Sequence, residues 1–449
     1  MQKQKSMVTD LTSGSVIGAL IKFAMPLFVS NALQAVYNLV DMVVVGRCIG
    51  ANGMSAVSIG GDTLHLLTFV AMGFSSAGQV LIARDVGAGC YEKVKRTIGT
   101  MFTLLFGISV VISIVCYGLK SNILTWLNTP QEAFDFTMDY TVTCIYGLVF
   151  IYGYNAVSAI LRGMGDSKRP FVFIAIAAIL NMVLDVLFVK YMGMEVFGAA
   201  LATVIGQGVS FVTSIVYLYK KREDFGFDFK LSSFIPEKEA TGKLLALGIP
   251  MAIQSAAVSF SKIILTAWIN LFGVVNSALG GVYNKINMMA GIVSNSFTTA
   301  GSSMIGQTLG ARKYERVPKV LKVVLVSGLI MAFAAGGAIY LFDDEIFSLF
   351  TSDALVLAGA SVLVLPTILN FFGSATRSMA FSMINGSGNT RLNLAVALID
   401  GVISRIGIAA LLGFALKMEC LGFWLGDTLA GFVPFIIGTS YYFTYKWKK

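Results

Sequence analysis

Along most of the chain, apolar residues run for twenty or more positions, and polar residues collect in short clusters between the runs. A helix needs about 20 apolar residues to cross the hydrocarbon core of a bilayer. Breaking the sequence at its charge and glycine clusters predicts twelve spans. They lie near 16–45, 53–83, 97–118, 137–161, 170–190, 197–219, 244–270, 277–308, 321–342, 355–384, 392–414 and 421–445. Several exceed 25 residues, so tilt or bending is expected. Pro26, Pro250 and Pro366 fall inside spans, where a missing backbone N–H permits a bend. The first run continues from Lys3 and Lys5 into a long helix, so it reads as the first span rather than a cleaved signal peptide.

Charge sets the orientation. With both termini cytoplasmic, 25 of the 33 Lys and Arg residues fall in inner segments. Four (Arg47, Lys120, Lys190 and Lys417) fall in outer loops, and four more lie within spans. That bias satisfies the positive-inside rule. The acidic loop Asp343-Asp344-Glu345 then lies outside. The net charge of +9 is therefore mostly a topology signal, and no nucleic-acid partner is expected.

Composition points the same way. Only 13% of residues are charged, against about 25% in ordinary soluble domains, too few to cover a globular surface. Forty-six glycines against eight prolines suit close helix contacts in lipid. The five cysteines are odd in number and form no C-x-x-C, so no disulfide framework or zinc ribbon is readable. The single histidine, His65, excludes an H-E-x-x-H site, and no G-x-x-x-x-G-K-[ST] is present to bind ATP. The expectation is an all-α polytopic protein of the cytoplasmic membrane, monomeric and without a cofactor.

An internal repeat divides the chain. A shift of 223 aligns Gly87-Ala88-x-x-Tyr91-Glu92-Lys93-Val94 with Gly310-Ala311-x-x-Tyr314-Glu315-Arg316-Val317. The same shift aligns Arg162-Gly163-Met164-Gly165-Asp166 with Asn385-Gly386-Ser387-Gly388-Asn389. A shift of 224 carries Pro26 onto Pro250 and Met194-Glu195-x-x-Gly198 onto Met418-Glu419-x-x-Gly422. Six spans per half is an even number, so the halves share one orientation and an axis along the membrane normal. The expected organisation is two pseudo-symmetric six-helix lobes, 1–222 and 244–449, joined by a cytoplasmic linker, 223–243.

Five carboxylates fall within spans: Asp41, Asp62, Asp185, Asp400 and Asp427. Each costs about 2.5–3.5 kcal/mol at a helix centre on insertion scales, so each belongs to a helix-tying contact or to a functional site. Asn31, Gln34, Asn38 and Asp41, spaced 3, 4 and 3 apart, share one face of the first span, with Tyr37 beside them. Asn181 and Asp185 in the fifth span are at i and i+4, as are Thr203 and Gln207 in the sixth; Asn155 in the fourth adds an amide. Two carboxylates with amide and hydroxyl oxygens suit a dehydrated hard cation such as Na⁺. Alternatively, a desolvated pair of carboxyls can hold a proton. Either species neutralises the repulsion between Asp41 and Asp185.

The second half departs from this pattern. Lys262 stands at the repeat position of Asn38 and Lys285 at that of Asp62, while Leu265 and Ile408 replace Asp41 and Asp185. Arg377 and Arg405 accompany Asp400 and Asp427. Coupling-cation chemistry is therefore expected in the first half. In the second, the bases read either as structural pairs, such as Asp400 with Lys285, or as a site for an anionic substrate group. Gln34, Tyr37, Asn38, Asn155 and Gln207 are candidates to line a substrate cavity from the first half. Gln254, Lys285, Arg377 and Asp400 are candidates from the second. His65, one turn from Asp62, reads as a packed polar contact rather than a proton relay.

These residues together resemble the multidrug and toxic compound extrusion (MATE) family over essentially the whole chain. The most specific pieces are Pro26 followed by Tyr37-Asn38-x-x-Asp41-x-x-x-Val45-Gly46, and Gly87-Ala88 closing the second span. Next come Arg162-Gly163-x-Gly165-Asp166, Asn181-x-x-x-Asp185 and Gly198-Ala199-Ala200-x-Ala202-Thr203. The resemblance implies a secondary active transporter, not an enzyme. It would export small molecules, commonly organic cations, in exchange for Na⁺ or H⁺ by alternating access. It also implies that Asp41, Asn181, Asp185 and Thr203 form the coupling-cation site, where Na⁺ would be the bound metal. One branch of the family carries acidic ligands in the seventh and tenth spans. Here those spans offer Gln254, Ser259, Lys262, Asn370 and Arg377, so that second site is not expected. The alternative, a lipid-linked-precursor flippase of the same superfamily, typically has two further spans.

Overall fold

A computed structural model describes residues 8–225 and 227–448, and among them every regular element is helical. Lys3, Lys5 and Lys449, counted above for orientation, lie outside the described residues. The first half contains α1 (Val16–Ile49), α2 (Ala51–Gly87), α3 (Tyr91–Gly118), α4 (Gln131–Gly163), α5 (Lys168–Tyr191) and α6 (Glu195–Lys220). The second contains α7 (Lys238–Asn270), α8 (Val274–Gly310), α9 (Tyr314–Leu341), α10 (Ala354–Ser387), α11 (Thr390–Ala415) and α12 (Glu419–Phe443). Eleven of the twelve are long and apolar enough to cross a bilayer by length and composition. The exception is α8, whose first half carries Asn276, Ser277, Asn284, Lys285 and Asn287. The all-α, twelve-helix membrane architecture expected from hydropathy is the one observed.

The repeat extends to packing. In the first half α4 packs on α2, α3 and α6, and α5 packs on α6; in the second α10 packs on α8, α9 and α12, and α11 on α12. A short helix follows the third helix of each half, Lys120–Trp126 and Asp343–Ser348. Contacts divide the chain into two compact units. Unit 1 contains the chain up to Asp10 and Met25–Ala252; unit 2 contains Leu11–Ala24 and Ile253–Lys449. The chain changes unit inside α1 and inside α7, within two residues of Pro26 and of Pro250, and both helices run unbroken through their prolines. Pro366 lies instead near the start of the α-helical part of α10, just after a tighter turn at Ala360–Leu363.

In unit 1, Phe74, Val80 and Ile82 of α2 interlock with Ile98 and Met101 of α3 and with Leu148, Tyr152 and Ile160 of α4. The Tyr152 hydroxyl donates to the carbonyl of Leu67 (2.7 Å), so its polar tip is satisfied. In unit 2, Ile269, Tyr283, Ile286 and Ile339 pack with Phe423 and Trp424. The segment between the repeats is docked on α3. Phe227 is buried, Phe234 packs edge-on to Phe102 and Phe227, Arg96 pairs with Glu237 (2.7 Å), and the Glu237 N–H donates to Thr100 (3.1 Å). It therefore belongs to unit 1.

The turn into α5 shows how local sequence orients a site helix. Gly165 has φ +88°, and a Cβ there would lie 2.5 Å from the carbonyl oxygen of Thr9. Buried Asp166 then accepts from the N–H groups of Lys168 (3.0 Å) and Arg169 (3.3 Å) and pairs with the Arg169 guanidinium (3.0 Å). Its repeat counterpart Asn389 caps α11 through the N–H of Leu392 (3.1 Å). Asp166→Ala, which strips these donors of their acceptor, is expected to cost about 0.5–2 kcal/mol. Thermal unfolding of the purified protein reads this as a lower midpoint; an unchanged midpoint would show that water replaces the cap.

Candidate functional site

Unit 1 brings Asp41 of α1, Asn181 and Asp185 of α5 and Thr203 of α6 together in its interior. All four are buried, Asp185 completely. Gly206 helps α6 approach α5 here: a Cβ on it would lie 3.3 Å from the Asn181 Cβ. The Thr203 hydroxyl donates to Asp41 Oδ2 at 3.4 Å. With the Asn181 amide assigned from its surroundings, its nitrogen donates to Asp41 Oδ1 (3.1 Å) and its oxygen accepts from the Thr203 N–H (3.3 Å). Asp41 is thus well supplied with donors. Asp185 has none among the described residues: both its oxygens lack a hydrogen-bond donor, and its carboxyl sits against that of Asp41, within reach of a hydrogen bond if one of the pair carries a proton. Beyond Asp185, the helix widens into a π-type turn over Val186–Tyr191, a distortion often found at functional sites.

Other side chains wall the pair. Tyr37 of α1 reaches Gln207 of α6, and Tyr140 and Cys144 of α4 lie beside Asp41, with Tyr140 also facing Thr203. Gly60 of α2 makes room for Tyr140, whose ring would lie 2.3 Å from a Cβ at that position. Sequence reading missed Tyr140 and Cys144; their i, i+4 spacing near the start of the fourth span was the available signal. Tyr37, Asn181, Thr203, Gly206 and Gln207 also border a small cavity of about 10 Å³. That is below the ~300–1,000 Å³ of drug-sized sites, so it suits water or an ion.

The other candidates of the first half lie elsewhere. Asn155 donates to the carbonyl of Ile151 (2.8 Å), so its amide is engaged with its own helix. Asn38 is exposed and Gln34 half-buried, so the polar stripe of α1 is split between interior and surface. His65 stands edge-on to Phe69, with ring centroids 4.8 Å apart, beside Asp62.

Unit 2 holds a network of ion pairs. Arg405 of α11, 3% exposed, bonds Asp427 of α12 and pairs with Asp400 (3.3 Å). The other Asp400 oxygen pairs with Arg377 of α10 (2.7 Å), and the other Asp427 oxygen accepts from the Tyr283 hydroxyl of α8 (3.3 Å). Asn287 and Asn370 extend the network, with Asn370 donating to Asn287 (2.8 Å). Gln254 is half-buried on α7.

The expected pairing of Asp400 with Lys285 is corrected: its partners are Arg377 and Arg405, and Lys285 is exposed. Two features explain the difference. Lys285 follows Tyr283 by two residues, which turns it by about 200° around α8, away from the face that carries Tyr283 and Asn287. Asp400 lies in a second π-type turn, Ile399–Ser404, that changes the phase of α11. There Gly401 abuts Ala257, and its carbonyl accepts from the Ser261 hydroxyl.

The repeat relates the two sites more closely than the sequence reading recognised. A shift of 224 carries Asn181 onto Arg405 and Thr203 onto Asp427, each pair 22 residues apart. Where unit 1 has a neutral amide and hydroxyl beside two acids, unit 2 has a built-in guanidinium between two acids.

The profile of the MatE family matches residues 26–187 and again 250–411, two stretches offset by the same 224 residues. The chain is 31% identical to the probable multidrug resistance protein YoeA of Bacillus subtilis, over 99% of its own length and 97% of that protein. It is 20% identical to the multidrug export protein MepA of Staphylococcus aureus, over 86% of its own length and 85% of that protein. A crystal structure of a MATE protein in complex with MaD3S has the same fold, with a TM-score of 0.90 at 22% identity and 99% of each chain covered. The chain belongs to the MatE family, and it is a multi-pass membrane transporter, not an enzyme.

Proposed function

We propose that the protein exports small molecules from the cytoplasm in exchange for Na⁺ or H⁺, by alternating access, with the coupling cation entering at Asp41, Asn181, Asp185 and Thr203. The observation that carries this reading is the buried, donor-less carboxyl of Asp185 against that of Asp41. Two ionised carboxylates in such contact repel by several kcal/mol at an intermediate dielectric, so a proton or a metal cation must neutralise them. A proton would be shared between the two carboxyls. Na⁺ would take their oxygens together with the Thr203 hydroxyl and the Asn181 oxygen. The amide serves either state, because half a turn exchanges its N–H for its carbonyl. The names of the relatives, a multidrug export protein and a probable multidrug resistance protein, support a drug or metabolite as cargo.

The proposed setting is the cytoplasmic membrane, with both termini inside and a single chain as the working unit. Exposed Asn38 and Asp62 would then face water rather than lipid, because polar side chains in spans line aqueous cavities. Exchange requires that cation and cargo favour different states or exclude each other. The test is transport by purified protein in sealed vesicles, with the Na⁺ and pH gradients imposed separately. One gradient drives accumulation of a fluorescent cargo against its own gradient, and collapsing it stops the accumulation. Equal flux with neither gradient would overturn exchange.

A further inference from the structure

The ion pairs of unit 2 leave a base over. Every carboxylate oxygen of Asp400 and Asp427 has a partner, supplied by Arg377, Arg405 and Tyr283. Lys262 of α7 shares the field of Asp427, Arg405 and Arg377, yet makes no ion pair among the described residues. Three bases thus face two acids. Exposed Lys285 adds another base in the same unit, also without an ion pair among the described residues. An unpaired ammonium in a span is costly on any scale, and like charges nearby raise the cost, so a mobile anion is the natural complement. Arg377 has donors left for it. One nitrogen of its fork takes Asp400, the side chain remains 22% exposed, and the guanidinium lies 5.1 Å from the centre of the Phe381 ring. The oxyanion of an acidic cargo would complement both bases, while Phe381, only 5% exposed, backs the guanidinium. Lys262 stands at the repeat position of Asn38, which is exposed.

We propose that Lys262, together with half-buried Arg377 of the same charged network, binds the oxyanion group of the exported molecule, so that the cargo includes amphipathic or zwitterionic acids. This rests on the export reading, but its test needs neither transport nor a gradient. The probes are a rhodamine bearing a free carboxylate and its ethyl ester, and fluorescence anisotropy reports their binding to the full-length protein in detergent. The wild type is expected to bind the acid about tenfold more tightly than the ester. Lys262→Gln removes the preference while still binding the ester and eluting as a single species, and Lys262→Arg keeps it. Asp41→Asn, which tests cation coupling, leaves the preference in place, so the two readings fail separately. Displacement of the acid dye by benzoate assigns the oxyanion to a soluble acid. Displacement by dihexanoyl phosphatidylglycerol, but not benzoate or dihexanoyl phosphatidylcholine, assigns it to a lipid headgroup. Equal affinity for acid and ester in the wild type, or a preference that survives Lys262→Gln, overturns the proposal.

Discussion

Asp41→Asn is expected to reduce gradient-driven export to the level of protein-free vesicles, while the protein still inserts and elutes as a single species. The substitution keeps shape and removes charge. The amide it introduces can donate to the orphaned oxygens of Asp185, so the remaining carboxylate gains the partner it lacks in the parent. Repulsion between two buried acids disappears at the same time. The unfolding midpoint should therefore stay level or rise, a sign opposite to that of most buried substitutions. Transport fails because the site has lost one of the two negative charges that hold the cation, and the amide N–H now occupies the remaining carboxylate. Asp41→Ala separates the two effects: it abolishes export as well, but leaves Asp185 unpartnered and lowers the midpoint. Full gradient-driven export by Asp41→Asn would sink the proposed site.

The spans and the repeat are legible in the sequence because hydropathy and charge bias act along one dimension in a membrane chain. Pro26 and Pro250 carry the repeat, and so do Asp166 and Asn389, which cap equivalent helices. Helical spacing shows that Asn181 and Asp185 share a face, but it cannot say which helix adjoins that face. The scarcity of in-span acids points to Asp41 as the partner of Asp185, and the resemblance to a family singles out Thr203 of α6 to complete the group. Three features escape spacing altogether. The π-type turn at Ile399–Ser404 shifts the phase on which any guess about Asp400 depends. Tyr140 and Cys144 look like ordinary span residues until α4 is placed beside Asp41. The segment between the repeats looks like a charged tether, yet Phe227 and Phe234 anchor it to α3.

Arg405→Met is expected to be the most destabilising single change in unit 2. Methionine matches the stem of arginine but removes the charge between Asp400 and Asp427. Asp400 keeps Arg377, whereas Asp427 keeps, among the described residues, only the Tyr283 hydroxyl as a direct partner. Stranding one partner of a buried ion pair costs about 3–5 kcal/mol, mostly as the penalty of the unpaired charge rather than the worth of the lost contact. Asp427→Asn should be milder, because Arg405 retains Asp400 and the amide still fills the space. The decisive comparison is the double variant Arg405→Met with Asp427→Leu. If the cost of Arg405→Met lies in the stranded carboxylate, removing it restores most of the lost stability, as measured by denaturant unfolding in detergent. If the double variant is as unstable as Arg405→Met, the guanidinium is holding α11 against α12 through packing, and its substitution for Asn181 in the repeat is structural in a different sense. Recovery would instead show that Arg405 serves the acids of unit 2 as a fixed counter-cation, in contrast to the acid pair of unit 1, which has no base bonded to it among the described residues.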